Sequence, residues 1–395
     1  MSFVEINKNV RKQTKLINVG RDPEANFGII NPPVYHASTV LFPTVAALDK
    51  ATQNRYEGVY YGLNGTPTTF ALQEAVAELE GYSQAIAVPS GLASIAASLL
   101  AFLKHGDHLL MVDSVYGPTR RFCDGMLKRF GIETTYYDPT IGIAIAELIR
   151  PKTKVVFAES PGSLSFEVQD MPAIVKEAHS AGAKVIFDNT WSGGIFFSAS
   201  KLNIDVTIQA ATKYISGHSD VMLGTIAMND VDNIIVRNSV RDLGYGAAPD
   251  DCYLALRGLR TLNARLPIHE ENALKLAHWL SKRPEVERVL HPALPTCPGH
   301  DIWKRDFTGS SGLFSFVLES NYNKDHVSTM IDKMDLFKIG YSWGGFESLI
   351  VPYDTNPPRT IQPWVHGQLI RIHAGLESVE DMITDLEAGF ARLNA

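Results

Sequence analysis

The stretch Asp205-Val206-Thr207-Ile208-Gln209-Ala210-Ala211-Thr212-Lys213-Tyr214-Ile215-Ser216-Gly217-His218-Ser219 is the one around which the rest of the chain is organised. It begins as a short β-rich run, Asp205 to Gln209, and then turns small and polar. Lys213 stands where the run ends, flanked by the hydroxyl of Thr212, the ring of Tyr214 and a Gly-His-Ser triplet. Lysine is rarely buried unpaired, so a lysine closing a buried strand conflicts with its own charge. Covalent union with an aldehyde cofactor resolves that conflict, because the amine then carries the cofactor's chemistry. A surface lysine after an edge strand is the alternative reading of the same residues.

On both sides of this stretch, short apolar runs alternate with helical patterns. Strands are expected at Ala85–Val88, His108–Val112, Glu133–Tyr136, Lys154–Ala158, Lys184–Phe187, Val206–Gln209 and Leu223–Ala227. A helix is expected over Thr68–Glu80, where Phe70, Leu72, Val76 and Leu79 recur at helical spacing and Gly81 follows as a stop. Further helices are expected near 91–104, 118–130, 142–149 and 172–181. Parallel neighbours need a crossover element, so this alternation predicts an α/β fold with a mainly parallel, doubly wound sheet. Ligands of such sheets lie beyond the carboxyl ends of the strands.

From about 258 the pattern changes. A long helical stretch from Asn263 to Lys282 precedes a strand near Val286–Leu290 and a Pro-rich loop at 292–298. A strand at Leu313–Leu318, a helix near 324–333 and a closing helix at 378–392 follow, and together they predict a smaller C-terminal α/β domain. Residues 1 to 60 lack strong periodicity and carry Asn31-Pro32-Pro33, so they are expected as an extended segment that packs on a neighbouring subunit. The expected division is 1–60, a large domain over 61–257, and the smaller domain over 258–395.

A chain of 395 residues fits two or three units at roughly 150 residues each. Hydrophobic content of 45% and charged content of 20% are those of an ordinary globular protein with a large core. A net charge of −7 without any basic run argues against a nucleic-acid partner. Cys123, Cys252 and Cys297 are far apart and form no CxxC pair, which predicts a reducing compartment, no disulfide framework and no metal site. Met1 to Lys15 is polar and mixed in charge, unlike a secretory signal. The longest apolar stretch, Ala93 to Leu103, is interrupted by Ser98 and too short to span a bilayer. A cytoplasmic protein without a membrane partner is expected.

Several strand ends carry groups with chemical potential. Val88-Pro89-Ser90-Gly91-Leu92-Ala93-Ser94 joins a strand to a helix through small residues, an arrangement that offers backbone N–H groups to an anion, though an ordinary βα turn reads the same way. Tyr116 follows the strand ending near Asp113 and reads either as core filler or as a stacking aromatic. Asp188 ends the buried-looking run Lys184-Val185-Ile186-Phe187, as a turn residue or as a functional carboxylate. Tyr341-Ser342-Trp343-Gly344-Gly345-Phe346-Glu347-Ser348 is a Gly- and aromatic-rich loop suited to a pocket wall. Arg371 lies inside the strand-like Leu369-Ile370-Arg371-Ile372-His373, where an edge arginine is the common case.

The run Asp205–Ser219 resembles the pyridoxal-phosphate attachment signature of the Cys/Met-metabolism family of PLP enzymes, and the resemblance extends over nearly the whole chain. It implies a fold-type-I, aspartate-aminotransferase-like architecture, with pyridoxal 5'-phosphate joined to Lys213. The amides of Gly91 and Leu92 and the hydroxyl of Thr212 would hold the phosphate, and Tyr116 would stack on the ring. Asp188 would pair with the pyridine nitrogen, keeping it protonated so that the ring serves as an electron sink. Arg371 would bind the substrate α-carboxylate through its planar fork, with Ser342 and Trp343 beside it. Tyr61 and Tyr116 would join Lys213 in proton transfer. Active sites shared between subunits, in a homotetramer, are implied as well.

Relatives acting at the γ-carbon tend to carry Asn-Pro just after the proline equivalent to Pro161. This chain has Ser163-Leu164, closer to the branch that cleaves L-cystathionine on its β side to homocysteine, pyruvate and ammonia. Chemistry at the γ-carbon, cysteine desulfhydration and alanine racemisation remain open on the same scaffold. A nucleotide-binding oxidoreductase is disfavoured, since no GxGxxG follows the first strand. Two positions depart from the family pattern. Many relatives carry Tyr-x-Arg where this chain has Tyr61-Gly62-Leu63, and Ala210 stands where relatives often place a phosphate-binding serine. Weaker cofactor binding is expected unless another cation, such as Arg55, compensates.

Overall fold

The computed structural model describes residues 10–353, 359–361 and 363–394. Its strands are β1 (Gln84–Val88), β2 (His108–Val112), β3 (Glu133–Tyr137), β4 (Thr153–Glu159), β5 (Lys184–Asp188), β6 (Val206–Gln209), β7 (Gly224–Met228), β8 (Val286–Leu290), β9 (Leu313–Leu318), β10 (Lys338–Ile339), β11 (Leu349–Tyr353) and β12 (Leu369–His373). The first seven fall within one residue of their expected bounds. The fold is the expected α/β class, with a mainly parallel large sheet and a smaller second one.

The chain forms two compact units. One takes the chain up to Phe102 and again from Asp205 to Leu262; the other takes Leu103–Ile204 and the chain from Asn263 on.

In the first unit the strand order is β1-β7-β6, with both pairings antiparallel. The link from β6 to β7 holds the lysine turn and no crossover helix, so β7 must return antiparallel. Helices Pro67–Glu80 and Gly91–Phe102 pack on these strands. The first starts with proline at its N-terminus, buries Leu72, Val76 and Leu79, and stops at Gly81, whose φ of 79° is the left-handed conformation that suits glycine.

In the second unit β5-β4-β2-β3 run parallel, and a separate sheet has the order β10-β11-β12-β9-β8. Every residue of β2 and β9 is buried, which explains their near-continuous apolar runs. The core beside the smaller sheet joins Leu276 and Leu280 to Phe314, Phe316, Met330, Leu386 and Phe390.

Some elements differ from expectation. The N-terminal stretch holds two short helices, Lys12–Asn18 and Val45–Gln53, which bury only Leu16 between them, so no apolar stripe marks them in sequence. The helix expected at 118–130 starts as Gly117–Phe122 and widens into a π turn at Cys123–Leu127. Residues Gly142–Leu148 wind as a 3-10 helix. The long helix begins at Pro249 rather than Asn263 and ends at Leu280. Among the described residues no helix is long and apolar enough to cross a membrane.

Candidate active site

In the first unit, two chain segments meet where the phosphate-binding turn was expected. A Cβ placed on Gly91 would lie 2.6 Å from the Cβ of Ala210, and one on Gly224 would lie 2.1 Å from the Ser90 carbonyl oxygen. Only glycine permits this approach, which presses the start of helix Gly91–Phe102 against the ends of β6 and β7. Ser90 Oγ accepts the Ala93 N–H at 3.1 Å, and Ser94 Oγ donates to the Gly91 carbonyl at 2.6 Å. Gly91 and Leu92 are the first two residues of the helix, so their amides lack intrahelical acceptors, and no acid occupies that turn. A small anion fits there.

Lys213 sits in the turn that follows β6, half-buried, with its N–H donated to the Ala210 carbonyl at 2.9 Å. Gly217 N–H donates in turn to the Lys213 carbonyl at 2.8 Å, which fixes the turn around the lysine. Thr212 Oγ1 donates to the Leu223 carbonyl at 3.1 Å and accepts the Leu223 N–H at 2.9 Å. A phosphate role for that hydroxyl requires its proton to swing away from Leu223. Tyr61 opens the short turn Gly62–Asn64 and is 45% exposed; Leu63 beside it is 40% exposed.

In the second unit, two carboxylates end neighbouring parallel strands in register, Glu159 on β4 and Asp188 on β5. Asp188 Oδ1 accepts the N–H and the hydroxyl of Thr190 at 2.9 and 2.5 Å. Glu159 Oε2 accepts the Tyr116 N–H at 2.8 Å. Burial, then the charge of Asp188, pushes the Glu159 carboxyl well above its ordinary range, although the Tyr116 amide pulls the other way. Burial, followed by Glu159 and Tyr353, likewise raises the Tyr116 phenol, against the pull of Arg121 and Arg371.

The strand-to-helix turn that carries Tyr116 is clamped from both ends. Asp113 Oδ1 accepts from Arg120 Nη2 at 2.6 Å and from the Thr360 N–H at 2.9 Å, while Oδ2 accepts the Ile361 N–H at 2.9 Å. Burial would raise the Asp113 carboxyl, but these amides and the guanidinium outweigh it and hold the group below its ordinary range.

Arg371 on β12 donates Nη2 to the Ser342 carbonyl at 3.2 Å, and its guanidinium lies 5.4 Å from the centre of the Tyr353 ring. Burial lowers its pKa, with the phenols of Tyr353, Tyr116 and Tyr341 acting against that shift. Ser342 and Trp343 are half-buried in the loop that the sequence marked as a pocket wall.

Within the first unit the structure thus joins Gly91 to the turn that carries Thr212 and Lys213. Within the second it joins Tyr116 to Glu159 and Asp188, and Arg371 to Ser342. Sequence reading missed Glu159, Asp113, Arg120, Tyr353 and His373. Glu159 and Asp113 had the same signal as Asp188, a carboxylate at the end of an apolar strand. Tyr353 had none, because its role depends on pairing of β11 with β12, which sets Val351 opposite Arg371.

In the first unit, acid-free helix amides backed by a glycine that no other residue can replace, with a lysine on the adjoining turn, fit a phosphorylated group; in the second unit, an aspartate at a strand end fits a basic nitrogen. A family model described as Cys/Met metabolism PLP-dependent enzyme matches residues 13–391. The chain is 49% identical over 393 residues to a putative cystathionine beta-lyase of Rhizobium johnstonii, covering 98% of each chain. It is 46% identical over 387 residues to cystathionine beta-lyase MetC of Escherichia coli, covering 96% of this chain and 98% of that one. Among solved structures, cystathionine gamma synthase from Xanthomonas oryzae, described in complex with aminoacrylate and cysteine, aligns with a TM-score of 0.89 and 29% identity over 98% of this chain and 99% of that one. The chain belongs to the Cys/Met metabolism family of PLP-dependent enzymes.

Proposed function

We propose that the protein is a carbon–sulfur β-lyase that cleaves L-cystathionine to homocysteine, pyruvate and ammonia, in methionine biosynthesis. The observation that carries this reading is identity of 46% or more, over nearly the whole length, to relatives named cystathionine beta-lyase. When bound, PLP supplies an electron sink for the pair left at Cα. The Gly91 and Leu92 amides and the Thr212 hydroxyl would hold its phosphate, Asp188 would pair with its ring nitrogen, and Tyr116 would stack on the ring.

Arg371 binds the substrate α-carboxylate as a bidentate fork, between Ser342 and Trp343. Tyr61 or Tyr116 accepts a proton from the substrate amine. Lys213 Nζ removes the Cα proton as general base and returns a proton to the departing sulfur as general acid.

Residues 1–60 pack on a neighbouring subunit, 61–257 form the cofactor-binding domain and 258–395 the smaller domain, in a cytoplasmic homotetramer whose active sites are shared. Apolar side chains left open along the N-terminal stretch, with Phe27 at 97% and Leu41 at 89% exposure, support its packing on a neighbour. Lys213→Ala tests the catalytic assignment: turnover of L-cystathionine is abolished, and retained turnover refutes the scheme.

A further inference from the structure

One imidazole holds the loop that carries Ser342 and Trp343. His373 lies two residues beyond Arg371 on β12, so both side chains leave the same face of the strand, and it is 1% exposed. Its Nε2 stands 3.1 Å from the Gly344 nitrogen, and its Nδ1 stands 3.1 Å from the Glu347 carbonyl oxygen. A peptide N–H can only donate and a carbonyl oxygen can only accept. Both bonds therefore require the neutral ring with its proton on Nδ1. They tie the two ends of the 344–347 segment to one residue of β12.

Just ahead of that segment, Ser342 has a φ of 83°, a left-handed conformation that a residue with a Cβ rarely adopts. Such a conformation persists only where its surroundings over-determine it. On one side the Ser342 carbonyl receives Arg371 Nη2 at 3.2 Å. On the other the chain enters the His373 staple within two residues. A second anchor follows at Ser348, whose N–H and hydroxyl donate to the two Glu377 carboxylate oxygens at 2.8 and 2.9 Å. That anchor fixes the far end of the loop, while His373 holds the part nearest Ser342.

We propose that His373 is a positioning residue for the substrate carboxylate. By stapling Gly344 and Glu347 to β12, it holds the Ser342 carbonyl against Arg371 and so aims the guanidinium. The inference rests on the reading of Arg371 as the carboxylate anchor.

The test uses the holoenzyme as wild type, His373→Phe, Arg371→Gln and the double variant. Each is titrated with L-alanine and with ethylamine, which lacks the carboxylate, by following the cofactor's visible absorbance. His373→Phe keeps a ring in the core and removes both bonds. It should weaken L-alanine binding about tenfold and leave ethylamine binding within about twofold. The KM for L-cystathionine should rise by a similar factor, with kcat within about threefold of wild type. In the Arg371→Gln background the added His373→Phe should change L-alanine binding by less than about twofold, because the effect runs through Arg371.

Equal weakening of both ligands, or the same loss in both backgrounds, would overturn the inference and leave His373 a core residue. If Arg371→Gln itself leaves L-alanine binding unchanged, the reading of Arg371 fails first. Should His373→Phe not fold, His373→Asn serves, since it keeps a donor for Glu347 and loses the acceptor for Gly344. Unchanged L-alanine binding in that variant would equally overturn the inference.

Discussion

Glu159 and Asp188 illustrate how one residue's setting decides its chemistry. Both are carboxylates at the ends of paired parallel strands, and Glu159 holds its proton more tightly than an ordinary carboxyl, mainly because it is buried and then because of the charge of Asp188. A carboxyl whose pKa is raised on folding gives stability that is fully present below the unfolded value and lost as pH rises through the folded one. Glu159→Gln removes that titration while keeping an oxygen for the Tyr116 N–H. Urea unfolding of the apoprotein should therefore favour the variant increasingly as pH rises from about 4.5. A constant difference between the two proteins across that range would contradict the assignment. Lys213 was legible in sequence because a charge closing an apolar strand demands a reason, whereas the role of Arg371 came only with the family resemblance, an arginine in a strand being commonly an edge residue. His373 was quoted with the same strand yet unread, since its partners Gly344 and Glu347 lie 29 and 26 residues away.

At the scale of elements, the strands of the large sheet were legible because burial on both faces leaves unbroken apolar runs bounded by turn residues. What escaped depended on pairing. β10 has only two residues and β11 contains Pro352, so neither carries a strand signal without its neighbour. Helix Asp230–Asp242 escaped because it buries only Asp232, Val236 and Val240. The turn Gly62–Asn64 was legible as a departure from the family, and the structure leaves Leu63 partly exposed against Gly246. Arg55, the candidate substitute cation, already donates Nε to the Thr52 carbonyl at 3.2 Å. Leu63→Arg should restore a charge-assisted contact to the phosphate and slow cofactor loss on dialysis by about tenfold. Equal retention by both proteins would show that the missing arginine is compensated.

Over the whole molecule, the α/β class follows from the alternation of strand and helix patterns and the family from the run Asp205–Ser219, and both are borne out along nearly the full chain. Composition added exclusions and no identity. The choice between β and γ cleavage rested on the loop after Pro161, where Ser163-Leu164 replaces Asn-Pro, and similarity to relatives named cystathionine beta-lyase supports the same choice. Sequence left the residues around Arg371 largely unread, because a site assembled from strands and loops distant in the chain exists only after folding.

The keto acid released from L-cystathionine by the PLP-loaded protein reads the position of the bond that breaks directly. Cleavage on the β side releases pyruvate, the expected product. Release of 2-oxobutyrate instead would contradict it and place the chemistry at the γ-carbon.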